Sequence, residues 1–198
     1  MSQGLEQIIN DELIPKERLK CLIEAYLERV WKSFDHGIFN NALKAACTDD
    51  IEMLNKLDEI CFSSKIAEEN RTAIIKMGNS MLNALDFDEG SIGKKYKDLV
   101  KAGKGHGTYP VVLALASNHF DLKDLGGISL MYVNLMELTA SLVRMGVIDY
   151  MEAQKLLEDI MKSFNLNQLV PCDFHQSFPL ADIASMRHET SQSRMFMS

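Results

Sequence analysis

From Pro15 onward, apolar residues recur at steps of three and four: Leu19, Leu22, Ile23, Tyr26, Leu27, Val30, Trp31 and Phe34. That spacing puts one apolar stripe on a helix of about five turns. Pro15 suits its first turn, where a missing N–H costs little, and Gly37 is expected to end it. Ile38, Phe39, Ala42, Leu43, Ala46 and Cys47 continue as a shorter helix. Thr48 or Asp49 can cap the next one, with Ile51, Leu54, Leu57 and Cys61 inward. Ile66, Ile74, Met77, Met81, Leu82 and Leu85 mark a longer helix, followed by a loop over 86–93.

Lys94–Gly103 is short and basic, and Gly103, Gly105 and Gly107 then interrupt the pattern. Tyr109–Phe120 is apolar on every side. We read it as a buried helix, because Pro110 suits a first helical position and no other segment offers a strand partner. After Gly126 and Gly127, Ile128–Met145 is a second strongly apolar helix, stopped near Gly146. Asp149 with Glu152 makes a capping-box start for Tyr150–Phe164. From Asn165 the chain is polar, holds Pro171 and Pro179, and loses helical period. The pattern predicts an all-α single domain: a helical bundle over 1–164 and an extended C-terminal docking tail over 165–198.

Composition narrows the function classes. The chain has 198 residues, 46% hydrophobic and 25% charged, values of an ordinary globular domain. Twenty-one Lys and Arg against 28 Asp and Glu leave a net charge of −7, which argues against nucleic acid as a partner. The longest stretch without Asp, Glu, Lys or Arg, Gly105–Phe120, is too short to span a bilayer. The start, MSQGLEQIINDEL, lacks a basic region and an apolar core. A cytoplasmic protein without membrane contact is expected, and its cysteines read as free thiols, with Cys21, Cys47 and Cys61 packed in the core.

Little asks for catalysis. No two of the five histidines stand at i, i+4 on one helix, and no nucleophile elbow is present. Cys172 and His175 could share one ion, but a site needs two more ligands. The glycine cluster Gly103–Gly107 could cradle an anion ahead of a helix, yet it lacks a phosphate loop's Lys-Ser/Thr ending and reads as a hinge. Paired acids such as Glu68 and Glu69 lie at a helix start, where they complement the dipole and are solvated. No enzyme activity, cofactor or metal is expected. The end of the chain is odd: a polar stretch carrying Arg187, His188, Glu189 and Arg194 finishes on Met195, Phe196 and Met197, as a docking segment would.

That tail, His188-Glu189-Thr190-Ser191-Gln192-Ser193-Arg194, resembles the C-terminus of the urease accessory protein F (UreF) family. Three further segments agree in order: Ser2-Gln3-Gly4-Leu5-Glu6, then Arg71 with Met77-Gly78, then Tyr109-Pro110-Val111-Val112. Arg144, with Gln154 ten residues on, sits where the family has its Arg…Gln helix junction. There are departures. The family carries an apolar helix and a turn of about 20–25 residues ahead of its Ser-Gln-Gly-Leu-Glu. Val147–Tyr150 replaces its Pro-Leu-Gly-Gln, and Thr108 stands where it has His.

The resemblance implies an all-helical, non-enzymatic accessory factor for nickel urease that forms homodimers. Its implied partners are urease accessory protein D (also called H), the urease accessory GTPase (protein G) and, through that complex, apo-urease. Together they would make a GTP-dependent chaperone that delivers nickel. Glu6 and Arg144 match positions expected on the partner side, and Arg187, His188, Glu189, Ser193, Arg194 and Phe196 are the candidate partner-binding residues of the tail. The competing expectation is a small α-helical metal-binding protein or enzyme using the Cys172/His175 loop.

Overall fold

A computed structural model describes residues 2–11, 15–163, 174 and 178–189. Among them there are helices and no strands: α1 (Ser2–Asn10), α2 (Leu19–Tyr26), α3 (His36–Cys47), α4 (Ile51–Ser63), α5 (Glu68–Ala84), α6 (Ile92–Lys101), α7 (Tyr109–His119), α8 (Lys123–Arg144), α9 (Tyr150–Ser163) and α10 (Pro179–Glu189). The all-α expectation is met. α7 is the central rod, buried from Pro110 to Ser117 and packed on α3, α4, α5, α6 and α8. The capping box ahead of α9 forms in both directions: Glu152 N–H donates to Asp149 Oδ1 (2.8 Å), and Asp149 N–H donates to Glu152 Oε2 (3.0 Å).

Several boundaries differ from the sequence reading. The stripe beginning at Leu19 lies on a short 3-10 turn, Lys16–Arg18, then α2, then a π-helical stretch, Leu27–Asp35. Here His36 N–H reaches back to the Trp31 carbonyl, a five-residue step. Gly37 does not end the helix; it is buried in the first turn of α3, and the rod runs on to Cys47. The α4 cap is Asp50, whose Oδ1 accepts from Met53 N–H at 3.0 Å. Lys123–Asp124 already open α8, and Gly126 lies inside it. A Cβ on Gly126 would come 2.3 Å from the Phe39 ring and 2.5 Å from Ser117 Oγ. That glycine is a seat for α3 and α7, not a breaker. Cys21 and Cys47 are exposed, so only Cys61 is the expected core thiol; burial pushes it up to about 12.

α8, at 22 residues, is the one described helix with the length and composition to cross a membrane, and half of that apolar window is buried in the bundle. Two close approaches join it to α3: Gly126 on Phe39, and Gly127 against the His36 ring. His36 also stacks near the rings of Trp31 (4.9 Å) and Phe39 (6.4 Å).

The largest difference is at the C-terminus. The segment read as an extended tail contains α10, which packs along α1 and touches the start of α5. Ala181, Ala184, Ser185 and His188 form its buried face at i, i+3, i+4 and i+7. Small and polar residues carry that face, so no apolar stripe announces it.

Burial lowers the His36 imidazole from 6.5 to about 4. The unfolded chain therefore takes up a proton that the folded chain refuses. This stability is present above pH 6.5 and is lost as pH falls towards 4. The loss should total roughly 3 kcal/mol across that window. Urea unfolding of His36→Gln should show a shallower decline than wild type between those limits; parallel curves would contradict the assignment.

Candidate functional site

α1 enters the bundle through Leu5 and Ile8, both fully buried. Gly4 and Glu6 are buried with them. A Cβ on Gly4 would lie 2.6 Å from Ser185 Oγ and 2.8 Å from the Ala181 carbonyl, so α1 and α10 meet backbone to backbone there. Such an approach needs the small residues Gly4, Ala181, Ala184 and Ser185.

The approach carries His188 into the interior, at 1% exposure. Its Nε2 is 3.1 Å from Glu6 Oε2 on α1, and its Nδ1 is 2.7 Å from Glu69 Oε2 on α5. A neutral imidazole donates to one of these oxygens; an imidazolium donates to both. The next residue, Glu189, accepts from Glu69 N–H through Oε1 at 3.2 Å. It thereby covers an open donor in the first turn of α5, whose N-cap Ala67 has no capping side chain. On the rim, Arg187 Nη1 faces Asp11 Oδ2 at 3.5 Å.

The structure thus brings together four of the predicted residues, Glu6, Arg187, His188 and Glu189. Arg144 sits in the last turn of α8, which also packs on α1, and donates to Ser141 Oγ at 3.2 Å. Ser193, Arg194 and Phe196 lie outside the described residues, as do Cys172 and His175. Sequence reasoning missed Glu69, taken as a solvated helix-start acid. Its partner stands 119 positions away, and no local signal announces such a pair. Among the described residues no group of three His, Cys, Asp or Glu side chains could hold a metal ion.

A second buried carboxylate explains the glycine cluster. Asp58, fully buried in α4, accepts from the N–H groups of His106 (2.6 Å), Gly107 (3.2 Å) and Thr108 (2.9 Å) and from Thr108 Oγ1 (2.7 Å). The loop does cradle an anion, and the anion is the protein's own. It is therefore fixed and not a hinge. His106 stacks on Phe62 at 3.9 Å and bonds Glu59 at 2.7 Å. Gly78 of α5 packs on the same loop, where a Cβ would stand 2.0 Å from the Gly107 carbonyl.

The UreF family model matches residues 15–161. The chain belongs to the UreF family. Over its whole length it is 29% identical to the urease accessory protein UreF of Bacillus sp. (strain TB-90), covering 90% of that relative. It is 28% identical to urease accessory protein UreF 1 of Brucella melitensis biotype 1 (strain ATCC 23456 / CCUG 17765 / NCTC 10094 / 16M) and 24% to UreF of Haemophilus influenzae (strain 86-028NP). Those matches again cover this chain entirely, with 85% and 87% of the relatives. These names are those of accessory proteins and not of enzymes. In this UreF member the stretches Ser2–Glu6 and His188–Glu189 are two sides of one clasp, and Met77-Gly78 and Tyr109-Pro110 flank one loop contact.

Two substitutions test these buried carboxylate sites. His188→Ala leaves Glu6 and Glu69 without their shared imidazole and should cost about 3–5 kcal/mol in urea unfolding. Asp58→Ala orphans four buried donors of the 106–108 loop and should cost a similar amount, about 3–5 kcal/mol. A loss under about 1 kcal/mol, the range of surface pairs, would show that either site is peripheral to stability.

Proposed function

We propose that this UreF-family protein is a cytoplasmic adaptor of urease maturation. It pairs with a second copy, binds accessory protein D (also called H) and recruits the accessory GTPase. The resulting GTP-dependent chaperone supplies nickel to apo-urease. The observation that carries this reading is the outer face of α10. While its inner face is clasped to α1 and α5, it turns Leu180, Ile183 and Met186 to solvent, with Ile183 55% exposed. Their i, i+3, i+6 spacing makes one apolar ridge, the shape of a helix that seats in a partner's groove. Arg187 borders that ridge, and Arg beside apolar anchors is a frequent interface hot spot. The family's tail motif begins at His188, near the end of this helix, and the reading assigns Ser193, Arg194 and Phe196 beyond it to the partner as well.

The test is co-purification of the full-length chain with accessory protein D, followed by addition of the GTPase and GTP. Ile183→Asp should leave the thermal midpoint within a degree or two, because the side chain is exposed. It should weaken capture of protein D by about thirtyfold or more, the effect of losing a hot spot of about 2 kcal/mol. Wild-type capture by Ile183→Asp would remove α10 from the docking face. Capture of the GTPase without protein D would remove the proposed order of assembly.

A further inference from the structure

Beside the clasp lies a cleft of about 110 Å³. It is walled by α2 and the π-helical stretch, by α5, by the start of α7, by α8 and by α10. Val30, Ile74, Leu130, Val133 and Phe178 give it an apolar side. An aromatic ring already packs there: Phe178 meets Tyr26 edge to face, with centroids 6.2 Å apart.

α10 ends at the edge of this cleft. It lines the space with Ala181, Asp182 and, one turn further, Ser185. Glu189 stands four residues beyond Ser185, about 6 Å along the helix axis. Its side chain is tied to Glu69 N–H on α5, and Asn70, the next residue of α5, also lines the cleft. The chain beyond Glu189 therefore sets out from the rim.

That chain reads Thr-Ser-Gln-Ser-Arg and then Met195-Phe196-Met197. Phe196 follows Glu189 by seven residues, at most about 25 Å of chain. Turning back to the level of Ser185 takes about 6 Å of it, which leaves Thr190–Gln192 for a turn and Ser193–Phe196 for the return. Closing so short a loop costs little entropy. Three large apolar side chains in a row gain from any cover against water. Ile66 and the α10 ridge of Leu180, Ile183 and Met186 are also exposed nearby, but they stand out from the surface and cover one face of a ring at most. Only a concavity covers both faces. Arg194, the one charge of 190–198, meets no net repulsion there, since the lining holds three carboxylates and one ammonium.

We propose that in the free chain Met195–Met197 folds back into this cleft and seats the Phe196 ring against Ile74, Leu130 and Val133. Size agrees: a closed cavity of about 150 Å³ takes a whole benzene, so this open cleft takes the greater part of one ring. The two flexible methionines then close its rim. The seat is a contact of the chain with itself and does not rest on the adaptor reading. Where Phe196 serves a partner, the partner first draws it out, so self-docking and capture compete for one side chain.

The test is methyl NMR of the free full-length chain, with no partner present. Overhauser contacts should join the Phe196 ring to methyls of Ile74, Leu130 and Val133. Phe196→Ala should remove these contacts and move the three methyl resonances, while the buried Ile160 of α9 holds its position and reports an intact bundle. Ala73→Leu narrows the cleft and should break the same contacts; if that variant does not fold, Phe196→Ala decides alone. A synthetic peptide of residues 190–198, added to the full-length Phe196→Ala chain, should restore the wild-type methyl positions saturably at about millimolar concentration, the effective concentration that a short tether provides. Methyl resonances unmoved by Phe196→Ala would overturn the proposal. So would contacts found only between differently labelled copies, which would give the cleft to the tail of a second chain. Neither result depends on whether the chain captures protein D.

Discussion

One imidazole ties together three helices that are far apart in the chain. His188 lies 182 residues from Glu6 and 119 from Glu69, and all three side chains are nearly or wholly removed from water. Charged groups in such a place are tolerated only when each faces an opposite charge or a donor at hydrogen-bond distance. The demand is directional as well as electrostatic. The ring plane of His188 sets where α1 and α5 stand, and Glu189 then closes the open end of α5. A lipophilic contact of equal area would hold these helices together without choosing their angle.

The contact also sets a rule for the residues around it. An imidazole can reach two helices only if its own backbone comes close to one of them, and Gly4 allows that approach. The same logic appears on the other side of the bundle. There Gly78 lets α5 touch the loop that Asp58 holds, and Gly126 lets α8 settle on Phe39. The two buried carboxylate sites, at His188 and at Asp58, are each matched by a missing Cβ nearby, Gly4 and Gly78. The carboxylate supplies direction, and the glycine supplies distance.

What was readable in the sequence follows from this division. Helices that bury Leu, Ile and Phe declare themselves by spacing, and α7, α9 and the capping box of Asp149 and Glu152 stand where the pattern put them. α10 does not declare itself, because its inward face is Ala181, Ala184, Ser185 and His188. The π-helical turn from Leu27 to Asp35 is invisible for another reason: it still buries Val30, Trp31 and Phe34 at steps of three and four. Glycines misled where they serve packing, as at Gly37 and Gly126. Of the candidate site, the tail motif gave His188 and Glu189 and the opening motif gave Glu6. Glu69, the other carboxylate on the ring, needed the three-dimensional structure.

The pairing of α1 with α10 has a consequence for how the molecule comes into being. α1 and its main neighbour, α10, are separated by nearly the whole described chain. Until α10 has been made, Leu5 and Ile8 lack the helix that seals them and Glu6 lacks the imidazole of His188. Closure of such a long loop is slow and entropically costly. During synthesis the α1 segment therefore waits for α10 with Leu5, Ile8 and Glu6 short of their native cover, a window in which chaperones or a partner's own surface can compete for it.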